Sequence, residues 1–185
     1  METTTTKTFD YDAFKQMKNL SQLKLSGYST IEIHQNFFEQ HPNLESLDLS
    51  ELIKYDKNST TINDKYCIDL KALANLTALK SLNLSNNNLN IDHKEGEMIF
   101  RLENLEKLDL SFGDRNKFIK RELELNETTF ERMTKLRVLN LSGNQIKLEG
   151  NCFQHLKQLK ELNISNTDLK SNDDYDIFGC LKRLE

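Results

Sequence analysis

The sequence contains few of the residues that define several common classes of protein. In 185 residues it has three cysteines, one proline, six glycines and no tryptophan. Cys67, Cys152 and Cys180 form no CxxC-type cluster, which argues against a disulfide framework or a zinc site and favours free thiols in a reducing compartment. No stretch reaches the roughly 18 apolar residues of a membrane helix, so we expect no membrane insertion.

An excess of charge of one sign is also missing. The formal net charge is −4, with 25 basic and 29 acidic residues interspersed, and no basic patch indicates nucleic-acid binding. The start, METTTTKTFD, lacks the apolar core of a signal peptide. We therefore expect a flexible lead-in at residues 1–9 and one domain at residues 10–185, which is long enough to bury a core.

Leucine and asparagine are abundant, at 30 and 20 residues, and both recur in a repeat. The copies are LSQLKLSGYST from Leu20, LESLDLSELIK from Leu44, LKSLNLSNNNL from Leu79, LEKLDLSFGDR from Leu105, LRVLNLSGNQI from Leu136 and LKELNISNTDL from Leu159, with a seventh beginning at Leu184. They start 24, 35, 26, 31, 23 and 25 residues apart. Apolar residues alternate within each copy before a turn, which predicts a short strand in every unit.

A second pattern precedes most copies, with apolar residues three apart, such as Phe130, Met133 and Leu136. This spacing predicts a helical or 3₁₀ turn with one inward face. In the second copy His41 takes the middle apolar position, and we expect it at the surface or at the boundary of the core. Each unit is therefore predicted to be a strand, a turn and a helical return.

The pattern LxxLxLxxNxL, with a phenylalanine before the next copy, resembles the leucine-rich-repeat family. It is most similar to the 24-residue class of receptor ectodomains such as those of the toll-like receptors. The resemblance implies an α/β fold, a curved right-handed solenoid with a parallel β-sheet on the concave face and short helical or 3₁₀ turns on the convex face. It also implies that the amides of Asn87 and Asn144 hydrogen-bond buried backbone groups of the turn and of the neighbouring repeat.

Four copies depart from asparagine at this turn position, where they carry Tyr28, Leu52, Gly113 and Thr167. We expect rebuilt turns where the chain carries insertions. At Thr167 we expect a hydroxyl to substitute for the amide.

Side chains that point outward from the predicted strands form columns across the repeats, and these columns could bind a ligand. Eight of their residues are candidates: Lys24, Asp48, Asn83, Lys107, Asp109, Val138, Asn140 and Asn163. An ordinary solvated strand face accounts for the same residues, because aromatic anchors typical of interfaces are missing. A third column is uniformly serine, from Ser26 to Ser165, which predicts a structural role for its hydroxyls at the turns.

Two spacings exceed the usual period, and the extra length predicts inserted loops at residues 51–72 and 111–125. The second loop holds the most basic and aromatic local cluster of the chain. Its candidate contact residues are Phe112, Arg115, Phe118, Lys120 and Arg121. Tolerated length without a partner is the alternative interpretation.

No motif supports catalysis. Residues 174–185 have nearly the spacing of a calcium loop, but Phe178 stands at a ligand position and belongs to the repeat pattern. No GxSxG and no phosphate-binding glycine loop occurs. We therefore expect no enzyme activity, no cofactor and no metal ion.

The sequence is best explained by a non-catalytic protein-binding scaffold or recognition module that presents the concave strand face and the two loops to a protein partner. Two alternatives stay open: an extracellular immune-type receptor fragment that binds microbial products or glycans, and the substrate-recruiting part of a larger enzyme or effector. Cysteine-rich caps are missing, which favours a cytoplasmic over an extracellular location, although Asn58 and Asn126 lie in glycosylation sequons. Leu184 opens a new repeat, so we expect further repeats or a partner to cover the C-terminal end.

Overall fold

The computed structural model describes residues 9–26, 31–52, 68–87, 89, 91, 96–113, 122–171 and 177–185. These residues contain nine short strands: β1 (Gln22–Lys24), β2 (Ser46–Asp48), β3 (Ser81–Asn83), β4 (Lys107–Asp109), β5 (Glu122–Leu125), β6 (Val138–Asn140), β7 (Gln145–Leu148), β8 (Glu161–Asn163) and β9 (Asp168–Ser171). They also contain two short α-helices, α1 (Tyr11–Gln16) and α2 (Glu97–Phe100), and a 3₁₀ helix, Leu70–Leu73.

Six of the strands, one from each repeat, form a parallel sheet in the order β1-β2-β3-β4-β6-β8. Equivalent leucines stand opposite each other, as Leu23 does with Leu47 and Leu82 with Leu108. Each repeat therefore stacks on the next in one register. This arrangement is a solenoid with a parallel sheet, which confirms the predicted fold.

The middle leucines of the four inner strands of this sheet build a continuous core. Leu47, Leu82, Leu108 and Leu139 are at most 1% exposed. The residues on either side of each leucine point outward, because successive side chains of a strand face opposite ways. Burying a leucine side chain stabilises a fold by roughly 1.5–3 kcal/mol, so stacked leucines can hold strands of only three residues together.

A second parallel sheet, in the order β5-β7-β9, goes beyond the sequence-based prediction. Its strands pair over four residues, with Leu123 opposite Ile146 and Leu125 opposite Leu148. These four side chains are buried and alternate with polar ones, a period-two signal typical of half-buried strands. Helical returns are correspondingly few: among the described residues only α1, α2 and the 3₁₀ helix are helical, and other returns are turns.

The N-terminal end of the core is closed by aromatic rings. Asp10 caps α1, since its carboxylate accepts hydrogen bonds from the N–H groups of Asp12 and Ala13 at 3.1 and 2.9 Å. Just before the helix, Phe9 stacks on Phe37 with ring centroids 5.8 Å apart and packs against the core. The lead-in predicted at residues 1–9 therefore extends one residue too far, and residues 1–8 lie outside the described part.

His41 is fully buried, so the predicted surface or boundary position was wrong. Its ring stacks on that of Phe14, with centroids 4.0 Å apart. Its Nε2 lies 3.0 Å from the carbonyl oxygen of Phe14. The flat ring fits against Phe14, and its Nε2 reaches a carbonyl that also accepts the N–H of Met17, while Nδ1 is buried without a hydrogen-bond partner among the described residues.

Cys152 and Cys180 are both free, while Cys67 lies outside the described residues. Burial raises the pKa of the Cys152 thiol to about 12, and the proximity of Cys180 adds to the shift. A thiol with so high a pKa carries almost no thiolate at neutral pH, which makes Cys152 a core residue and a poor nucleophile.

Candidate functional site

The outward side chains of β3, β4, β6 and β8 line a groove of about 520 Å³, which we call the sheet groove. Because the strands are in register, these side chains form two straight rows across the sheet. The first row is Ser81, Lys107, Val138 and Glu161, and the second is Asn83, Asp109, Asn140 and Asn163. Six of the eight candidate binding residues therefore lie in one groove.

The two other candidates, Lys24 and Asp48, lie nearer the N-terminal end, on β1 and β2. They are bound to each other, with Lys24 Nζ 2.8 Å from Asp48 Oδ2. Within the sheet groove a similar bond joins neighbouring strands, because Asn140 Nδ2 donates to Asp109 Oδ2 at 3.0 Å. Some of the polar groups on the candidate surface thus already bond to other side chains of the protein.

The second row has a structural task that the sequence analysis missed. In all four residues of this row, and in Asp48 of the repeat before them, the Asp or Asn side chain accepts a hydrogen bond from the backbone N–H of the serine two residues later. The donor–acceptor distances run from 2.8 Å at Ser111 to 3.2 Å at Ser142. The recurring Asp-Leu-Ser and Asn-Leu-Ser were the available signal, since Asp and Asn favour this turn.

The serine hydroxyls have a smaller role than predicted. Ser50 and Ser142 donate their hydroxyls to the same Asp48 and Asn140 oxygens, at 2.7 and 2.9 Å. The backbone at these turns is satisfied by the Asp or Asn side chain, and the hydroxyl only reinforces it.

This turn also determines which way the groove amides point. A backbone N–H can only donate, so Oδ1 of Asn83 and of Asn163 must face the serine N–H. Their Nδ2 groups are then left to face away from the turn. The sheet groove consequently presents amide donors more than amide acceptors.

The Lys24–Asp48 pair should make stability depend on pH. Burial of the Asp48 carboxyl works to raise its pKa, but hydrogen bonds from Lys24 and Ser50 outweigh burial and hold the pKa below its ordinary value. A lowered carboxyl pKa contributes stability above the ordinary pKa, and this stability is lost as pH falls through the lowered value.

We therefore compare the protein with Asp48→Asn, which keeps the turn acceptor as Asn83 does but removes the charge. The unsubstituted protein should melt at a higher temperature at about pH 7, and the difference should shrink towards zero at about pH 2. Thermal melts followed by circular dichroism across this range measure the effect. A difference that stays constant with pH would contradict it.

Two buried asparagines hold the turns beyond the sheet. Nδ2 of Asn87 donates to the carbonyls of Leu49 and Leu84 at 2.7 and 3.0 Å, while its Oδ1 accepts from the N–H of Leu52 at 2.8 Å. Asn144 is 1% exposed and donates to the corresponding carbonyls of its own and the preceding repeat. Each amide thus joins two repeats.

The predicted loop at 111–125 was drawn too wide. Phe112 is 6% exposed, and its N–H donates to the Ser142 carbonyl at 2.9 Å, so it is part of the solenoid and is not an exposed contact. Residues 122–125 form β5. The other candidates of this loop, Arg115, Phe118, Lys120 and Arg121, lie outside the described residues.

The predicted loop at 51–72 needs a similar correction. Its described ends belong to the solenoid, because Leu52, Ile68 and Leu70 are all buried. Ile68 also forms a parallel bridge with Ile33. Residues 53–67, the rest of this insertion, lie outside the described part of the chain.

A second cavity, of about 590 Å³, lies between α2 and β5. Both of its arginines are engaged, Arg101 with Glu97 at 2.8 Å and Arg132 with Glu103 at 2.9 Å. Two arginines already held by carboxylates are poorly placed to attract an anionic ligand, so we prefer the sheet groove as the site.

The described ranges hold no group of three or more His, Cys, Asp or Glu side chains arranged to bind a metal ion. Among the helices of the described part, none is long and apolar enough to cross a bilayer.

Parallel strands in register, with buried asparagines joining consecutive turns, define the leucine-rich-repeat class of solenoids. Comparison with family models agrees. A model described as leucine rich repeat matches residues 121–169, and one described as BspA type leucine rich repeat region (6 copies) matches residues 2–111, more than half of the chain. The chain therefore belongs to the leucine-rich-repeat family.

These matches identify the leucine-rich-repeat family but no narrower class within it. They give no support to the resemblance to receptor ectodomains. A search of curated proteins found no match. Leucine-rich repeats are generally protein-interaction modules and typically non-enzymatic.

Proposed function

We propose that this protein is a non-catalytic binding module that holds a segment of a partner protein in the sheet groove. The observation that carries the proposal is the groove itself, which crosses four strands and contains side chains with unused hydrogen-bonding groups. A groove on consecutive strands offers the same surface to every encounter, so binding costs little ordering entropy.

The walls of the sheet groove are rigid for a reason visible in the structure. The side chains of Asn83, Asp109, Asn140 and Asn163 are each tied to a backbone N–H two residues later. Lys107 and Val138 stand on the same short strands, whose central leucines are buried. A preorganised polar surface of this kind favours specificity.

Val138→Arg tests the proposal, since Val138 is half-buried in the middle of the groove. Random twelve-residue peptides displayed on phage would be selected on the unsubstituted protein, and the selected peptides measured by calorimetry. We expect Val138→Arg to weaken their binding by at least about tenfold. Thr134→Arg, at an exposed turn outside the groove, is the matched control and should bind normally.

Equal affinity of the two variants for the selected peptides would disprove the proposal. Melting curves of both variants are needed, so that unfolding is not mistaken for lost binding. The contribution of Arg115, Phe118, Lys120 and Arg121 to partner binding stays a prediction of the sequence, as does the cytoplasmic location.

A further inference from the structure

Lys107, Val138 and Glu161 form a row across the middle of the sheet groove. The register places Lys107 opposite Val138 and Val138 opposite Glu161. Lys107 and Glu161 are exposed, while Val138 is half-buried. The row therefore consists of a cation, an apolar side chain and an anion on consecutive strands of the sheet.

The two charged side chains of this row are not neutralised by the described residues around them. Lys107 and Glu161 form no ion pair with any residue in the described ranges. Elsewhere on the sheets charges at comparable positions are paired across neighbouring strands, as Lys24 is with Asp48 at 2.8 Å and Lys147 with Glu124 at 3.2 Å. This row thus holds one charge of each sign without an ion-pair partner among the described residues, beside the Asp109 carboxylate, which accepts a hydrogen bond from Asn140.

The spacing explains why the two charges do not pair with each other. Neighbouring strands lie about 4.8 Å apart, so the backbones at Lys107 and Glu161, separated by β6, are roughly 10 Å apart. A segment in the extended polyproline II conformation has three residues per turn and rises about 3.1 Å per residue, so its side chains three residues apart lie on one face, roughly 9 Å apart. A partner segment can reach both charges at once.

We infer that the sheet groove selects an extended protein segment with an acidic side chain over Lys107, a small apolar side chain over Val138 and a basic side chain over Glu161. This inference rests on the proposed function, because it names the partner chemistry of the same groove. The opposite charges also determine which way the segment lies, since the reversed order places like charges together.

The amides beside this row suit such a segment. Asn83 stands next to Asp109 on the strand before it, and Asn163 stands two residues beyond Glu161. Their Nδ2 groups, directed away from the turns, can donate to the carbonyls of an extended backbone. The charged pair would then select the side chains, and the amides would hold the main chain.

The test exchanges the two charges in the double variant Lys107→Glu, Glu161→Lys, which has the same composition and net charge. The probes are the phage-selected twelve-residue peptides and their counterparts with acidic and basic residues exchanged. The unsubstituted protein should prefer the selected peptides by about tenfold or more, and the double variant should prefer the exchanged ones. Calorimetry measures all four combinations.

The matched control is Lys80→Glu, Glu45→Lys, which exchanges an existing ion pair outside the groove. It should keep the original preference. If Val138→Arg weakens binding but the Lys107 and Glu161 exchange leaves the preference unchanged, the inference is wrong and the proposed function stands. If binding is insensitive to Val138→Arg, or no peptide is enriched, both are wrong.

Discussion

Replacing Asn87 with alanine should lower the free energy of unfolding by roughly 3–5 kcal/mol, because each buried backbone group left without a partner costs about 1–3 kcal/mol. The amide is 2% exposed and serves the N–H of Leu52 and the carbonyls of Leu49 and Leu84. The first two lie in the preceding repeat. Alanine would therefore weaken both a turn and the junction between two repeats, as urea denaturation would measure.

Two further substitutions at asparagine sharpen this prediction. Asn87→Asp keeps the shape and the acceptor for Leu52, but it turns a carboxylate oxygen towards carbonyl oxygens, so it should also destabilise strongly. Asn43→Ala, at an exposed site, is the control and should change stability by less than about 0.5 kcal/mol. A similar loss for Asn43→Ala and Asn87→Ala would show that the buried amide has no special role.

Gly143→Ala should cause the second large loss in the free energy of unfolding, about 3 kcal/mol or more. Gly143 has a φ of +74°, and a Cβ built there would lie 1.8 Å from the carbonyl oxygen of Phe112. The left-handed conformation costs alanine roughly 1–2 kcal/mol. The clash adds to this cost because it involves the backbone of the preceding repeat, which cannot move freely since the Phe112 N–H donates a hydrogen bond to the Ser142 carbonyl.

Gly150→Ala separates the cost of the left-handed conformation from the cost of the backbone clash. Gly150 also has a positive φ, +57°, but a Cβ there would meet the side chain of Glu127, which can move. We expect this control to lose only the conformational cost of roughly 1–2 kcal/mol. Equal losses at the two glycines, measured by denaturant unfolding, would rule out the backbone clash as the cause.

Equivalent turns show why glycine is needed at this one place. Glu51, Asn86 and Asn166 adopt the same left-handed conformation with side chains present, at φ values of 59°, 56° and 54°. Positive φ alone therefore does not require glycine in this fold. The requirement at Gly143 comes from the approach of Phe112, in the repeat that carries the insertion.

A residue that departs from the repeat pattern could be interpreted from the sequence where its side chain forms a hydrogen bond within its own repeat. Thr167 stands in place of the turn asparagine, and its Oγ1 donates to the Ile164 carbonyl at 2.6 Å. Asn144 makes the corresponding bond to Leu141. A hydroxyl can replace the bond within the repeat, but with a single proton it does not also reach the preceding repeat as an amide does.

Other features could not be predicted because they depend on neighbours distant in sequence. Phe112 looked like a loop residue, but its N–H bonds to Ser142 in the next repeat and its side chain is buried. The strands of the second sheet follow the turns of only some repeats, so no pattern common to all copies marks them, and they exist because β5, β7 and β9 pair with one another. Such strands are stabilised by pairing more than by local propensity.

The sequence by itself determined the stacking of this protein, because leucines that recur with one spacing can be buried only against equivalent leucines of the next repeat. It also determined which side chains point out of the sheet, since alternation along a strand is a local property. The tertiary structure alone decided which of those outward groups remain available. Asp48 forms an ion pair with Lys24, and Asp109 accepts a hydrogen bond from Asn140. Lys107 and Glu161, in contrast, are separated by an intervening strand. Pairing across strands depends on distances in space, which a repeat pattern does not contain.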